Sequence, residues 1–221
     1  MRTLALSLLL AAPTFAATCE SLSTLKLENG TVTSAAVVAP GTFQVPGAAD
    51  GKGGKGKGPN PYANLPAFCR VTATLTPSKD SDIKVEVWLP SNNWNGKYQA
   101  VGNGGWAGVI SYTALADAIA RGYASSSTDT GHVGARGTFA LGHAEKLIDY
   151  AYRSEHEMVL KAKQVIEKFY DSNLDPIPPK AHLVNALDYR LLHSADFALT
   201  RYSLSHFADF ARGMDHLLGL F

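Results

Sequence analysis

Residues 68–76 and 83–89 alternate apolar and polar side chains, rich in β-branched residues. Period two marks a strand with one face buried. The polar, turn-forming residues 77–82 between them predict a hairpin. Residues 25–38 alternate more loosely and break at Asn29-Gly30, which predicts one or two short strands. Residues 97–101 and 122–128 predict two further strands, with a helix over 115–121 between them. Residues 144–170 change period. Leu147, Ile148, Ala151, Tyr152, Met158, Val159, Ala162, Val165, Ile166 and Phe169 recur at helical steps, and Glu145, Lys146, Arg153, Glu157, Lys161, Lys163 and Lys168 fall mostly on the other face. So long an amphipathic helix packs across a sheet. Strands alternating with helices predict an α/β fold.

Three stretches stand outside this pattern. Residues 1–17 have a positive start at Arg2, an apolar run over 4–12 and small residues at Ala16 and Ala17. That is the form of a secretory signal, too short to span a bilayer, with an N-terminal anchor helix as the alternative. The mature chain would begin near Ala17 or Thr18. Residues 48–61 contain Gly-Lys-Gly-Gly-Lys-Gly-Lys-Gly and read as a mobile surface loop. Lys52, Lys55 and Lys57 there are either simply solvated or contacts for an acidic polysaccharide. Asp175-Pro176-Ile177-Pro178-Pro179 stops the long helix. Beyond it, residues 183–221 are rich in Leu, Phe and His and carry one or two helical patterns but no strand.

Composition narrows the class. The 221 residues are 46% hydrophobic and 18% charged, with net charge +1. This suits one globular domain and gives no global attraction to nucleic acid. Secretion gives meaning to the two cysteines, Cys19 and Cys69. They form either a disulfide or two buried thiols; a bridge closing a loop of about 50 residues contributes roughly 4 kcal/mol on the chain-entropy account. Asn29-Gly30-Thr31 is a glycosylation sequon in a turn-like position, used only in a eukaryotic host.

Candidate chemistry centres on residues 94–108. An extended segment leaves Trp94-Asn95-Gly96 and ends in Gly102-Asn103-Gly104-Gly105-Trp106-Ala107-Gly108. A strand ending in such a turn can aim free backbone N–H groups at one point, as acyl-transfer enzymes do to hold an oxyanion. The alternatives are a plain strand-to-loop turn and a phosphate cradle; no nucleotide-binding glycine pattern is present. A nucleophile is harder to find. No G-x-S-x-G occurs, Ser194, Ser203 and Ser205 lack flanking glycines, and Ser125, Ser126 and Ser127 sit in a predicted strand. Asp129 and His132 are close in sequence, and such neighbours rarely form an acid–base couple. His143 and His156 read as capping or packing residues. His182, His193, His206 and His216 show no metal spacing.

Five segments taken together resemble the tannase and feruloyl esterase family of secreted α/β-hydrolases. They are Cys19-Glu20; Leu65-Pro66-Ala67-Phe68-Cys69-Arg70-Val71; Trp88-Leu89-Pro90 with Trp94-Asn95-Gly96-Lys97; Gly102-Asn103-Gly104-Gly105; and Ser127-Thr128-Asp129-Thr130-Gly131-His132. Ala151-Tyr152-Arg153 with His156, Lys163 and Phe169-Tyr170 is similar to the family's helix before the nucleophile strand. The resemblance covers residues 19–170. It implies an incomplete α/β-hydrolase fold over residues 18–170, ending at that helix, after a signal over 1–17 and before a divergent tail over 171–221. It implies a Cys19–Cys69 disulfide, and an oxyanion hole using the N–H of Gly105 with Gly104 beside it. The implied activity is hydrolysis of hydroxycinnamoyl or galloyl esters through a serine acyl-enzyme. Implied partners are phenolic or plant cell-wall esters, with no nucleic acid and no membrane, in a secreted, extracellular setting.

The sequence departs from that family at Asp171. The Gly-Cys-Ser-x-Gly-Gly motif, the later acid and histidine, and the lid that in many members binds calcium have no counterpart. The expectations are therefore a chain without cofactor and with little or no activity of its own, the product of a frameshift or unspliced intron. The alternative is a non-catalytic secreted fragment or carbohydrate-binding module.

Overall fold

The computed structural model describes residues 17–47 and 60–170. Nearly all of the signal-like stretch 1–17 and of the Lys-Gly stretch 48–61, and the whole of 171–221, lie outside the described residues.

Among the described residues six strands form one sheet, in the order β1-β2-β3-β4-β6-β5. They are β1 (Lys26–Leu27), β2 (Gly30–Val38), β3 (Phe68–Leu75), β4 (Ile83–Pro90), β5 (Tyr98–Val101) and β6 (Ala124–Thr128). Asn29, at φ +51°, turns β1 back onto β2. The hairpin β3–β4 pairs as its alternation requires, Cys69 opposite Leu89, Val71 opposite Val87, Ala73 opposite Val85 and Leu75 opposite Ile83. These four pairs share one face. All neighbours are antiparallel except β5 and β6, which run parallel with helix α1 (Tyr112–Ala120) as their crossover. Helix α1 begins three residues before the expected start at 115. Among the described residues no strand pairs with the outer side of β5.

A helix covers each face. Met158, Ala162, Val165 and Ile166 of α3 (Ser154–Tyr170) pack on the face carrying Val71, Val85, Val87 and Leu89. Burying each large apolar side chain here contributes about 1.5–3 kcal/mol. The other face holds Phe43, Leu65, Phe68 and Trp88 against Leu115, Ala116 and Ile119 of α1. The C-terminal end of α3 is pinned by Tyr170, whose ring stacks on Trp94 at 3.9 Å and whose hydroxyl donates to the Pro90 carbonyl at 2.7 Å. The Cys19–Cys69 disulfide forms, with its Cα atoms 5.5 Å apart.

On the α1 face lies a buried polar network that the alternation pattern did not reveal. Glu86, 5% exposed, accepts from Arg70 Nε at 2.8 Å, from Arg70 Nη2, from Trp88 Nε1 at 2.9 Å and from the Tyr112 hydroxyl at 3.0 Å. The carboxylate is thus compensated on all sides, as a buried charge must be. Burial, and then the charge of Glu86, raise the Tyr112 phenol above its ordinary range.

The long helix expected over 144–170 is not uniform. It consists of α2 (Ala144–Ile148), a π turn (Asp149–Arg153) and α3. The π turn takes an extra residue, so the apolar stripe does not continue through it. Tyr152, expected on the buried face, is 53% exposed, while Lys161, expected on the polar face, is 5% exposed with its ammonium 3.1 Å from Glu157. His143 precedes α2 but makes no side-chain cap; its Nδ1 lies 2.9 Å from Asp80 Oδ2.

Candidate active site

β5 and β6 are adjacent parallel strands, and the chain skips β6's place when it passes from β4 to β5. Reversals of that kind leave a crevice at the carboxyl ends of the strands, where α/β proteins place ligands. Two loops meet there, residues 102–108 after β5 and residues 129–134 after β6.

The first loop is built around a tight turn. Ala107 N donates to Gly104 O at 3.2 Å, closing a four-residue turn over residues 104–107. Gly105 is its second residue, at φ +53°. Positive φ there, followed by a residue with negative φ, is the type II′ pattern that calls for glycine. In a trans peptide the N–H points away from the carbonyl of the same unit. With Gly104 O turned in to meet Ala107, the Gly105 N–H is turned out. No hydrogen bond within the described residues takes up the N–H of Gly104, Gly105 or Trp106.

Asn103 anchors this turn to the sheet. It is 7% exposed; its Nδ2 donates to Thr128 O at 2.8 Å and its Oδ1 accepts from Ser111 Oγ at 3.2 Å. Ser111 N in turn donates to Ser127 Oγ at 3.0 Å. One amide side chain thereby joins the ends of β5 and β6 and the start of α1.

The second loop folds against the first. Gly108 and Gly134 exchange backbone hydrogen bonds, and a Cβ at Gly108 would stand 2.3 Å from the His132 carbonyl oxygen. Only glycine permits that approach. His132 Nε2 lies 3.0 Å from Trp106 O, so this nitrogen carries the proton and donates. Its ring stacks on Phe139 at 3.7 Å. Asp129 Oδ1 accepts from Lys84 N and Gly131 N, each at 2.9 Å. Burial nonetheless dominates and pushes the Asp129 carboxyl up to about 6.

Trp106 is 43% exposed and stacks on Tyr150 of the π turn at 4.7 Å. The Tyr150 hydroxyl donates to Gly105 O. Trp106 belongs to the glycine stretch singled out from the sequence, whereas Tyr150 was not expected in the site. A signal was present in the helical stripe, whose step of six from Tyr152 to Met158 fits neither three, four nor seven.

The structure therefore brings Gly104, Gly105 and His132 together, but not as a catalytic couple. The Asp129 carboxylate and the His132 ring bond to different groups, and the two residues meet through the backbone, where His132 N donates to Asp129 O at 3.4 Å. Ser125, Ser126 and Ser127 are wholly buried in β6. Among the described residues no three metal-ligating side chains gather, and no helix is long and apolar enough to cross a membrane. A shallow groove lined by Pro66, Asn92, Asn93 and Arg121 lies at the opposite end of β6 from these loops. Asn29 is exposed in the β1–β2 turn.

The chain is similar to known proteins in sequence and in fold. Residues 69–176 match the family described as tannase and feruloyl esterase. An uncharacterized esterase of Xanthomonas campestris is 37% identical over 172 residues, which is 76% of this chain and 28% of that protein. Feruloyl esterase B of Aspergillus niger is 40% identical over 104 residues, 47% of this chain and 20% of that protein. The crystal structure of feruloyl esterase B from Aspergillus oryzae superposes with a TM-score of 0.60 at 32% identity, over 69% of this chain and 29% of that one. The chain thus spans less than a third of the length of these relatives, and its sheet with a helix on each face is part of an α/β-hydrolase fold. By its sequence and its fold, the chain belongs to the tannase and feruloyl esterase family.

Proposed function

We propose that this fold serves carboxylic ester hydrolysis on hydroxycinnamoyl or galloyl esters of the kind plant cell walls carry, and that the described residues supply the oxyanion side of the site. The observation that carries this reading is the Gly105 N–H, turned out of a glycine turn at the carboxyl end of β5 and unclaimed within the described residues. In such a reaction a serine hydroxyl attacks the ester carbonyl carbon and the carbonyl electron pair moves onto oxygen. An N–H fixed in advance stabilises that charge without reorganising. Collapse expels the alcohol and leaves an acyl-enzyme, which water then hydrolyses.

The second donor, the nucleophile and its acid–base partners do not belong to the described residues, and the 221 residues contain no G-x-S-x-G. This chain alone is expected to turn over little or no ester. The Cys19–Cys69 bridge supports a secreted protein, since such bonds persist in oxidising compartments. At the exposed Asn29 a glycan would extend into solvent. No cofactor, nucleic acid or membrane enters the reading.

Two measurements test it. Nuclear magnetic resonance titration with ferulate, a planar phenolic carboxylate, is expected to shift the Gly105 amide proton; no shift at Gly105 overturns the oxyanion assignment. Incubation with methyl ferulate and methyl gallate is expected to give no product above buffer. Turnover abolished by a serine-directed inhibitor would place a nucleophile in this chain and overturn the expected inactivity.

A further inference from the structure

We propose that Tyr150 is a positioning residue of the oxyanion turn, and that the π turn of the long helix serves to deliver it there. The functional meaning rests on the ester-hydrolase reading above; the geometry stands without it.

Three successive peptide units make up the turn, and the carbonyl of each has a different partner. Gly104 O accepts from Ala107 N within the turn, Trp106 O from His132 Nε2, and Gly105 O from the Tyr150 hydroxyl. The units on either side of Gly105 are thus both held, which fixes its φ and ψ. This matters because glycine resists rotation less than any other residue. If the central unit rotated, the Gly105 carbonyl would swing towards the space that the outward N–H groups now face. An acceptor there opposes a developing negative charge. Of the three bonds, only the central one comes from outside the two loops.

The helix departs from regular geometry where it makes this contact. Single π turns in α-helices are uncommon and recur at functional sites. Here the turn spans Asp149–Arg153 and is pinned on both sides of Tyr150. Asp149 is wholly buried, and a Cβ at Gly131 would stand 3.3 Å from the Asp149 Cβ. Arg153 donates to Asp149 Oδ1 at 2.6 Å and to Glu145 at its carbonyl and carboxylate. Asp149 Oδ2 is buried with no hydrogen bond among the described residues. What the turn gains is the adjacent side chain, whose ring backs Trp106 and whose hydroxyl reaches Gly105 O.

The test uses the full chain and the variant Tyr150→Phe, which removes the hydroxyl and keeps the ring. The readout is backbone ¹⁵N relaxation. In the wild type the Gly105 and Trp106 amides are expected to have order parameters near ~0.85, the rigid value; in Tyr150→Phe they are expected to fall below ~0.6. The amides of β3, β4 and α3 keep their values, which shows that the fold survives. Unchanged order at Gly105 and Trp106 in the variant overturns the proposal. So does equal loosening across the sheet, since that assigns Tyr150 a general structural role. Tyr150→Leu also removes the ring contact and is expected to shift the Trp106 indole emission as well; an emission unchanged from wild type counts against the proposal. None of these readouts depends on ester turnover. A failed ferulate titration therefore overturns the oxyanion reading, and a rigid turn in Tyr150→Phe overturns this one.

Discussion

The β3–β4 hairpin and the loop cluster beyond β5 and β6 are built on opposite principles. The hairpin is held by many interchangeable contacts: four apolar cross-strand pairs on one face, a helix over them, and a disulfide at its edge. The loop cluster is held by a few that nothing else replaces: one amide at Asn103, one hydroxyl at Tyr150, one glycine contact at Gly108. Redundant packing tolerates change and conveys stability. Single contacts tolerate little and convey position, which is what a site that stabilises charge requires.

The contrast can be broken first at the disulfide. Replacing both cysteines by serine is expected to destabilise the chain by about 4 kcal/mol, from a sequence separation of 50. Urea unfolding measures this, and the Gly105 amide shift in the folded protein should not move. Asp129 gives the next largest effect. Its folded carboxyl holds its proton up to about pH 6, whereas the unfolded one releases it near 3.8. Between those values the folded state binds more protons, so stability falls as pH rises through the window and is level above it. The fall is at most about 3 kcal/mol. In Asp129→Asn, whose side-chain oxygen still accepts from Lys84 N and Gly131 N, unfolding midpoints at pH 4 and pH 7 should differ less than in wild type.

Gly108→Ala comes third. Its Cβ would meet backbone at His132, not a yielding side chain, and the expected cost is about 2 kcal/mol. Unlike the cysteine change, it should displace the Gly105 and Trp106 amide signals. The smallest effect belongs to the surface: Lys84 and Asp82 pair with about half of each side chain in solvent. Asp82→Ala should cost less than about 1 kcal/mol and leave both regions unchanged.

The same contrast explains what could be read from the residues alone. Period-two alternation located β3 and β4 within a residue or two, because burial on one face constrains every second side chain. The resemblance pointed to Gly105, and the structure places it at positive φ in a tight turn after β5; its oxyanion role is the proposal made above. The Glu86 network, the Asn103 anchor and the Tyr150 contact were not legible. Each joins residues far apart in sequence and leaves no periodic trace. The π turn misled in a specific way, since one extra residue breaks the apolar stripe at Tyr152, which is exposed; Lys161 is buried because it lies one helical turn from Met158 on the face that α3 packs down.

The disulfide also has a consequence in time. Cys69 precedes the end of α3 by about 100 residues. At roughly 5–20 residues per second, a nascent chain passes that interval in about 5–20 s. Both thiols are therefore made well before α3, and where export accompanies synthesis, oxidation joins the N-terminal segment to β3 before the glycine turn has its Tyr150. Structural closure then precedes completion of the site, with the hydroxyl that secures the turn among the last contacts to arrive.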